Sequence, residues 1–158
     1  MDSDKQFEKL KSDTETYYSS VGHVKCPAMN DAMIHFTSEG FNHLRYSKKK
    51  ARSKVDQSAK FKLVKRAVML LQKTTTIQEY SERNEEIHKK RHKKLSKEWS
   101  VVGYWGFIAI INGIRLKVVV KRIDNSKYLF WSVIPVWQTK DFQGHKITDK
   151  SKGDLAED

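Results

Sequence analysis

The sequence predicts an α+β fold in which N-terminal helices pack on one face of a three- to four-stranded antiparallel sheet. Apolar residues recur at helical spacing in the first half of the chain, whereas residues 101–137 read as three strands joined by tight turns. The 158 residues suffice for one domain with a substantial core, which we place at residues 1–137. The polar residues 138–158 lack periodicity and predict a flexible tail whose acidic end could fold back on basic surface.

The composition favours a polyanionic partner. The chain has 31 Lys and Arg against 19 Asp and Glu, a formal charge of +12 and a pI near 9.7. Nucleic acid is the commonest partner of such a protein, ahead of an anionic membrane surface. The single cysteine, Cys26, excludes an internal disulfide framework. Because the chain also lacks a signal peptide and any apolar run of about eighteen residues, we expect a cytoplasmic protein without a membrane partner.

Alternating steps of three and four between apolar residues predict an amphipathic helix over Lys5–Tyr18. Ala32–Phe36 then reads as a short strand or an extended lead-in. Thr37 or Ser38 is a suitable cap for a short helix that carries His43 in its first turns.

A basic loop, Lys48–Lys54, precedes a clear helix over Asp56–Lys73. The loop supplies candidate phosphate ligands, namely Lys48, Lys49 and Arg52. On the helix, Arg66 is either a solvated or salt-bridged residue, or a substrate ligand if the helix borders a cleft.

A third helix is expected from Thr76, because Thr76 and Glu79 have the spacing of a capping box, and it would run to about Lys97. The second half of this segment is so basic that little of it can be buried. It therefore forms either a solvated face or a surface that contacts phosphates.

The pair Asn112-Gly113 between two apolar runs is a strong hairpin signal and sets a register in which Ile111 faces Ile114 and Tyr104 faces Lys121. A second turn centred on Asn125-Ser126 would place Lys121 opposite Phe130 and Val119 opposite Ser132. The predicted core face comprises Trp105, Phe107, Ala109, Leu116, Val118, Val120, Leu129, Trp131 and Val133. The reverse face comprises Tyr104, Gly106, Ile108, Arg115, Lys117, Lys121, Phe130 and Ser132.

The reverse face holds residues that suit RNA cleavage without a metal. Such cleavage needs a base for the 2′-hydroxyl, cations around the phosphorane and an acid for the departing 5′-oxygen. Lys117, Lys121, Arg115, Tyr104 and Ser132 meet part of this need, and the short helix would have to bring His43 over them. We expect no metal or other cofactor, because the chain has no P-loop, no dinucleotide-binding glycine pattern and no carboxylate cluster for paired metals.

Two short segments carry a family resemblance: an FT-x-x-G-x-x-H-L stretch and a late W-S-V-I-P stretch. They comprise Phe36, Thr37, Gly40, His43 and Leu44, and Trp131–Pro135. With helices preceding an antiparallel sheet, this pattern resembles the barnase–EndoU–colicin–RelE superfamily of small ribonucleases, most closely its phage-borne and toxin-like branches, over about Met33 to Trp137. The resemblance implies metal-independent cleavage of RNA, a toxin role with an acidic antitoxin or immunity protein as partner, and catalytic roles for His43, Lys121 and Ser132.

Plainer roles stay open for the same residues. His43 is otherwise a capping or surface histidine, and His35 lies near enough in sequence to replace it. Lys117 and Lys121 would keep an exposed strand face soluble, and Ser132 would be a small hydroxyl bonded to the backbone. The functional alternatives are thus a ribonuclease, a non-catalytic nucleic-acid-binding module, and a basic subunit for an acidic protein partner.

Overall fold

A computed structural model describes residues 3–91, 93–136 and 155–158 of the chain. These described residues form three α-helices and eight strands, with one 3-10 turn at Pro27–Met29. The helices are α1 (Ser3–Val21), α2 (Ser38–Arg45) and α3 (Lys54–Lys73). The strands are β1 (His23–Cys26), β2 (Ala32–His35), β3 (Tyr46–Ser47), β4 (Lys50–Ala51), β5 (Glu79–Arg91), β6 (Lys94–Ile111), β7 (Ile114–Ile123) and β8 (Tyr128–Pro135).

The fold is α+β as predicted, but the sheet is larger than expected and it is mixed. Six strands lie in the order β1-β2-β8-β7-β6-β5, and β3 and β4 form a separate small hairpin. All neighbours in the large sheet are antiparallel except β2 and β8, which pair in parallel at Ile34–Tyr128 and His35–Leu129. The prediction of a three- to four-stranded antiparallel sheet missed the two edge strands, β1 and β5, whereas β2 coincides with the short strand that was one alternative for Ala32–Phe36.

The predicted third helix is wrong, because the segment from Thr76 to Lys97 forms β5 and the start of β6. β5 pairs with β6 through thirteen residue pairs, from Glu79–Gly106 to Arg91–Lys94. This ladder supplies main-chain hydrogen bonds to the edge of β6, and pairing of this kind overrides a weak local helix preference. Residues 94–101 of β6 lie beyond the start of the β7 ladder at Val102, so they form a two-stranded ribbon with β5.

The main core lies between α1, α3 and one face of the sheet. Its aromatic residues include Tyr18, Phe36, Phe41 and Phe130, and the rings of Phe36 and Phe130 stack with centroids 4.7 Å apart. Tyr18 also donates its hydroxyl hydrogen to the carbonyl oxygen of Thr37, the N-cap residue of α2, at 2.6 Å. Helix α2 is thereby fixed against β8.

The first hairpin register is confirmed over its full length, including Ile111–Ile114 and Tyr104–Lys121. In the second hairpin Val119 faces Ser132 as predicted, but the register then shifts at a bulge, so that Val120 faces Phe130 and Lys121 faces Leu129. The extra residue in β8 is Trp131. A bulge of one residue reverses the alternation of side chains on its far side.

The bulge corrects the predicted face of two aromatic residues. Phe130 was expected on the reverse face but lies in the main core, and Trp131 was expected in the core but packs on the reverse face. Trp137, the other late tryptophan, lies outside the described residues. Ser132 stays on the reverse face, because it is registered with Val119 before the shift.

Cys26 is fully buried in the main core, where burial raises the pKa of its thiol.

Across the part of the chain that the structure describes, no helix is both long enough and apolar enough to span a membrane.

Candidate anion-binding site

The reverse face of the sheet carries a small second core that the end of the chain covers. Leu155 and Ala156 pack there against Val102, Tyr104 and Val119. Gly106 makes this possible, since a Cβ at that position would lie 3.1 Å from Leu155 and 3.0 Å from Glu79. The predicted tail is therefore not free at its end: the segment Leu155–Asp158, here called the C-terminal strap, is packed on the sheet, and residues 138–154 lie outside the described part.

Lys117 and Ser132 hold the last residue of the strap. The side chain of Lys117 is only 1% exposed, and its ammonium group lies 2.6 Å from Asp158 Oδ2 and 3.3 Å from Glu79 Oε2. Ser132 donates its hydroxyl hydrogen to the main-chain oxygen of Asp158 at 2.7 Å. An ammonium group this deeply buried needs compensating negative charge, because removal of an ion from water is costly.

Lys60 is a member of the site that the sequence analysis missed. Although 4% exposed, it reaches from α3 to Ser132 Oγ at 2.9 Å and to the main-chain oxygen of Asp158 at 2.6 Å. It can do so because β8 pairs with β2 only at Tyr128 and Leu129, which leaves the edge of β8 accessible beyond them. The sequence did contain one indication that Lys60 is buried: it lies at helical spacing from Val64, Ala67 and Leu71, on the apolar face of α3.

Lys121 lies four residues after Lys117 on β7, so both side chains lie on the same face of the strand. Lys121 is 8% exposed. Its ammonium group lies 3.9 Å from the ring centroid of Trp131 and 5.8 Å from that of Tyr104. Burial lowers the pKa of Lys121, and the nearby carboxylates of Glu85 and Glu39 partly oppose this. A lysine with a lowered pKa gives up its proton more readily than an exposed one.

His43 is brought to the site by α2, as the resemblance implies. Its ring is buried and stacks on Trp131, with centroids 4.0 Å apart and planes 15° apart. Arg52 fixes it, since Arg52 Nε donates to the main-chain oxygen of His43 at 2.9 Å and Nη2 lies 3.1 Å from His43 Nε2. A guanidinium group only donates, so this contact requires an unprotonated Nε2 on the imidazole.

The outer edge of the site contains a shallow pocket of 240 Å³ next to the stacked rings of His43 and Trp131. Lys48 and Lys49 lie at its rim, in a turn where both have left-handed backbone conformations. The pocket residues are Glu39, Asn42, His43, Tyr46, Lys48, Lys49 and Trp131. The small β3–β4 hairpin thus places two candidate ligands from the basic loop beside His43.

Three other candidates are not brought into this cluster. Arg66 lines a different groove of 880 Å³ with Phe7 and Pro135, between α1 and α3. Arg115 is exposed near the turn of the first hairpin. His35 pairs with His23 across β1 and β2, with ring centroids 5.6 Å apart. The sequence pattern could not separate these residues from the site, because each lies near it along the chain or on the same strand face.

Three further hydrogen bonds hold the strap against the site. Ser47 donates to Glu157 Oε2 at 2.9 Å, and Arg52 Nη2 donates to the main-chain oxygen of Glu157 at 3.3 Å. The indole N–H of Trp131 donates to the main-chain oxygen of Ala156 at 3.0 Å. The site therefore combines four cations with hydroxyl and indole donors around an acidic peptide, an arrangement suited to binding an oxyanion.

Within the described ranges, no three His, Cys, Asp or Glu side chains are grouped so that they could hold a metal ion.

Comparison with known proteins finds no match: no family model matches the chain, and no curated protein or solved structure matches it.

Proposed function

We propose that the protein is a metal-independent, toxin-like endoribonuclease of the barnase–EndoU–colicin–RelE kind. The observation that carries this proposal is the convergence of residues from three separate elements on the oxygens of Asp158. Lys60 comes from α3, Lys117 from β7 and Ser132 from β8, and each lies within 2.7 Å of an Asp158 oxygen. In the proposal, these oxygens occupy the place of the non-bridging oxygens of a scissile phosphate.

The proposed reaction uses the 2′-hydroxyl of the RNA as the nucleophile. His43 Nε2 takes the proton of that hydroxyl, and the 2′-oxygen bonds to the phosphorus. Lys60, Lys117 and Ser132 stabilise the negative charge on the phosphorane. The bond from phosphorus to the 5′-oxygen then breaks, and Lys121 gives a proton to that oxygen. The products are a 2′,3′-cyclic phosphate and a 5′-hydroxyl end.

The assignment of base and acid follows from the surroundings of each group. The contact with Arg52 keeps His43 Nε2 unprotonated but occupies its lone pair, so in the proposal Arg52 turns to an RNA phosphate when substrate binds and Nε2 can then take the proton. Lys121 has a lowered pKa and therefore releases its proton more easily than an ordinary lysine. The pocket beside His43 and Trp131 offers an aromatic surface for a base, with Lys48 and Lys49 available for a neighbouring phosphate.

The test is to incubate purified protein in EDTA with bulk tRNA and, separately, with ribosomes that carry mRNA. We expect fragments that end in a cyclic phosphate or its hydrolysis product. The variants Lys117→Ala and His43→Ala should each lose at least about a hundredfold in rate. Lys62→Ala, which removes an exposed lysine from α3, is the matched control and should keep full rate. Unbroken RNA in both substrate arms would refute the proposal.

A second candidate function is non-catalytic binding of nucleic acid. The observation that favours it is the β5–β6 ribbon, where Trp99 is 72% exposed and Lys94 and Lys97 are also exposed. An exposed aromatic ring among cations suits stacking on a base next to a phosphate backbone. A salt-sensitive gel shift of intact RNA that Trp99→Ala weakens would support this alternative. An acidic antitoxin or immunity protein is proposed as a partner for the same basic surfaces.

A further inference from the structure

We infer that the C-terminal strap is an internal competitor of the substrate: its acidic residues occupy two phosphate positions, and RNA must displace it. This inference rests on the proposed function of the site as a phosphate-binding site. The inner position is marked by Asp158, which contacts Lys60, Lys117 and Ser132. The outer position is marked by Glu157, which contacts Ser47 and Arg52 through its side-chain and main-chain oxygens.

The two acidic residues are consecutive, so their contacts trace a short anionic chain across the site. The inner group is held by two buried lysines and a hydroxyl, and the outer group lies towards the β3–β4 hairpin that also carries Lys48 and Lys49. A nucleic acid backbone has the same character, with one negative charge on each successive unit. Because both ligands need the same donors, the strap and a phosphate backbone exclude each other.

The strap is also anchored by an apolar contact and a hydrogen bond, neither of which involves the cations. Leu155 is buried over Gly106, and the main-chain oxygen of Ala156 accepts the indole hydrogen of Trp131. This separation allows two independent perturbations. Asp158→Asn weakens the hold on Lys117, whereas Leu155→Ala loosens the anchor and leaves the net charge and all the basic residues unchanged.

The experiment measures binding of an oligonucleotide with 2′-O-methyl groups at every position, which cannot be cleaved through the 2′-hydroxyl. For the full chain, the apparent dissociation constant is the intrinsic constant divided by the fraction of molecules with an open site. If the strap is docked in about nine molecules of ten, Asp158→Asn and Leu155→Ala should each bind about tenfold more tightly. Glu15→Gln, which removes an exposed acidic residue from α1, is the charge control and should change affinity less than about twofold.

Hydrogen exchange gives a second readout on the unaltered protein. The amides of residues 155–158 should lose protection when the oligonucleotide binds. Retained protection in the complex, or affinities of both variants within about twofold of wild type, would overturn the inference and make the strap a fixed part of the fold. Circular dichroism of each variant verifies that it is folded.

The outcomes separate this inference from the proposed ribonuclease activity. Cleavage by the wild type with no gain for the two variants would leave the activity standing and remove the competitor role. Gains in affinity without cleavage of natural RNA would support the competitor role and refute the catalytic proposal. No binding by any form would overturn both.

Discussion

Replacement of Lys60 by methionine tests the residue that the sequence did not reveal. Methionine keeps the length of the side chain but removes an ammonium group that donates to Ser132 Oγ at 2.9 Å and to the main-chain oxygen of Asp158 at 2.6 Å. In the proposed mechanism, the hydrogen bond to the main-chain oxygen of Asp158 is replaced by one to a phosphorane oxygen. The hydrogen bond to Ser132 Oγ orients the Ser132 hydroxyl, so the substitution would affect both Lys60 and Ser132 in their proposed contacts with the phosphate.

The expected magnitude follows from these contacts. Charge-assisted hydrogen bonds contribute about 1.5–3 kcal/mol each, and loss of one preorganised donor to a developing oxyanion lowers rate about 10²–10³-fold. We therefore expect the single-turnover rate of RNA cleavage by Lys60→Met to fall about 10²–10³-fold. The free energy of unfolding should fall by about 1–3 kcal/mol, because the Ser132 hydroxyl and the main-chain oxygen of Asp158 stay buried with one donor fewer.

Lys62→Met provides the matched control, since it places the same substitution two residues further along α3 at an exposed position. Rates are measured with enzyme in excess over RNA, and unfolding is followed in urea. A rate for Lys60→Met within threefold of the rate for Lys62→Met would refute the role assigned to Lys60. An equal loss in both variants would point to the general charge of α3 rather than to the site.

Three further predictions concern the acid, the position of α2 and the choice of histidine. If Lys121 is the acid, the cleavage rate falls as pH rises through its lowered pKa, and Lys121→Arg moves this decrease to higher pH; identical profiles would exclude Lys121 as the acid. Gly40→Ala should lower the free energy of unfolding in urea by about 1–3 kcal/mol and also slow cleavage, because its Cβ would collide with the main-chain oxygen of Phe130; unchanged unfolding would contradict this packing. His43→Ala should abolish cleavage whereas His35→Ala should not, and the reverse result would move the base to β2.

Local patterns predicted the parts of the fold that local chemistry determines. The turn at Asn112-Gly113 set ten residue pairs of the first hairpin, and helical periodicity located α1 and α3 within a few residues. The same register placed Lys117 and Lys121 on the reverse face. The capping residue Thr37 or Ser38 predicted the short helix that carries His43, and the structure stacks His43 on Trp131.

The incorrect or absent predictions concern interactions between residues that are far apart in sequence, which no local pattern indicates. The bulge at Trp131 depends on how β8 fits against both β7 and the core, so the expected faces of Phe130 and Trp131 were exchanged. Strand β5 carries few apolar residues and is stabilised chiefly through its ladder with β6. Lys60 and Asp158 are 98 residues apart, and only the completed fold brings them into contact.

The position of β8 in the sheet has a consequence for synthesis of the protein. Among the strands that the structure describes, β8 is the last in sequence, yet it lies between β2 and β7 and links the strand pair β1–β2 to the other three strands of the sheet. A nascent chain that has not yet emerged beyond Tyr128 lacks this link, and it also lacks Trp131 and Ser132. Long-range pairing of this kind forms late in folding. A growing chain should therefore be unable to assemble the proposed phosphate site on the ribosome that makes it until β8 has been synthesised.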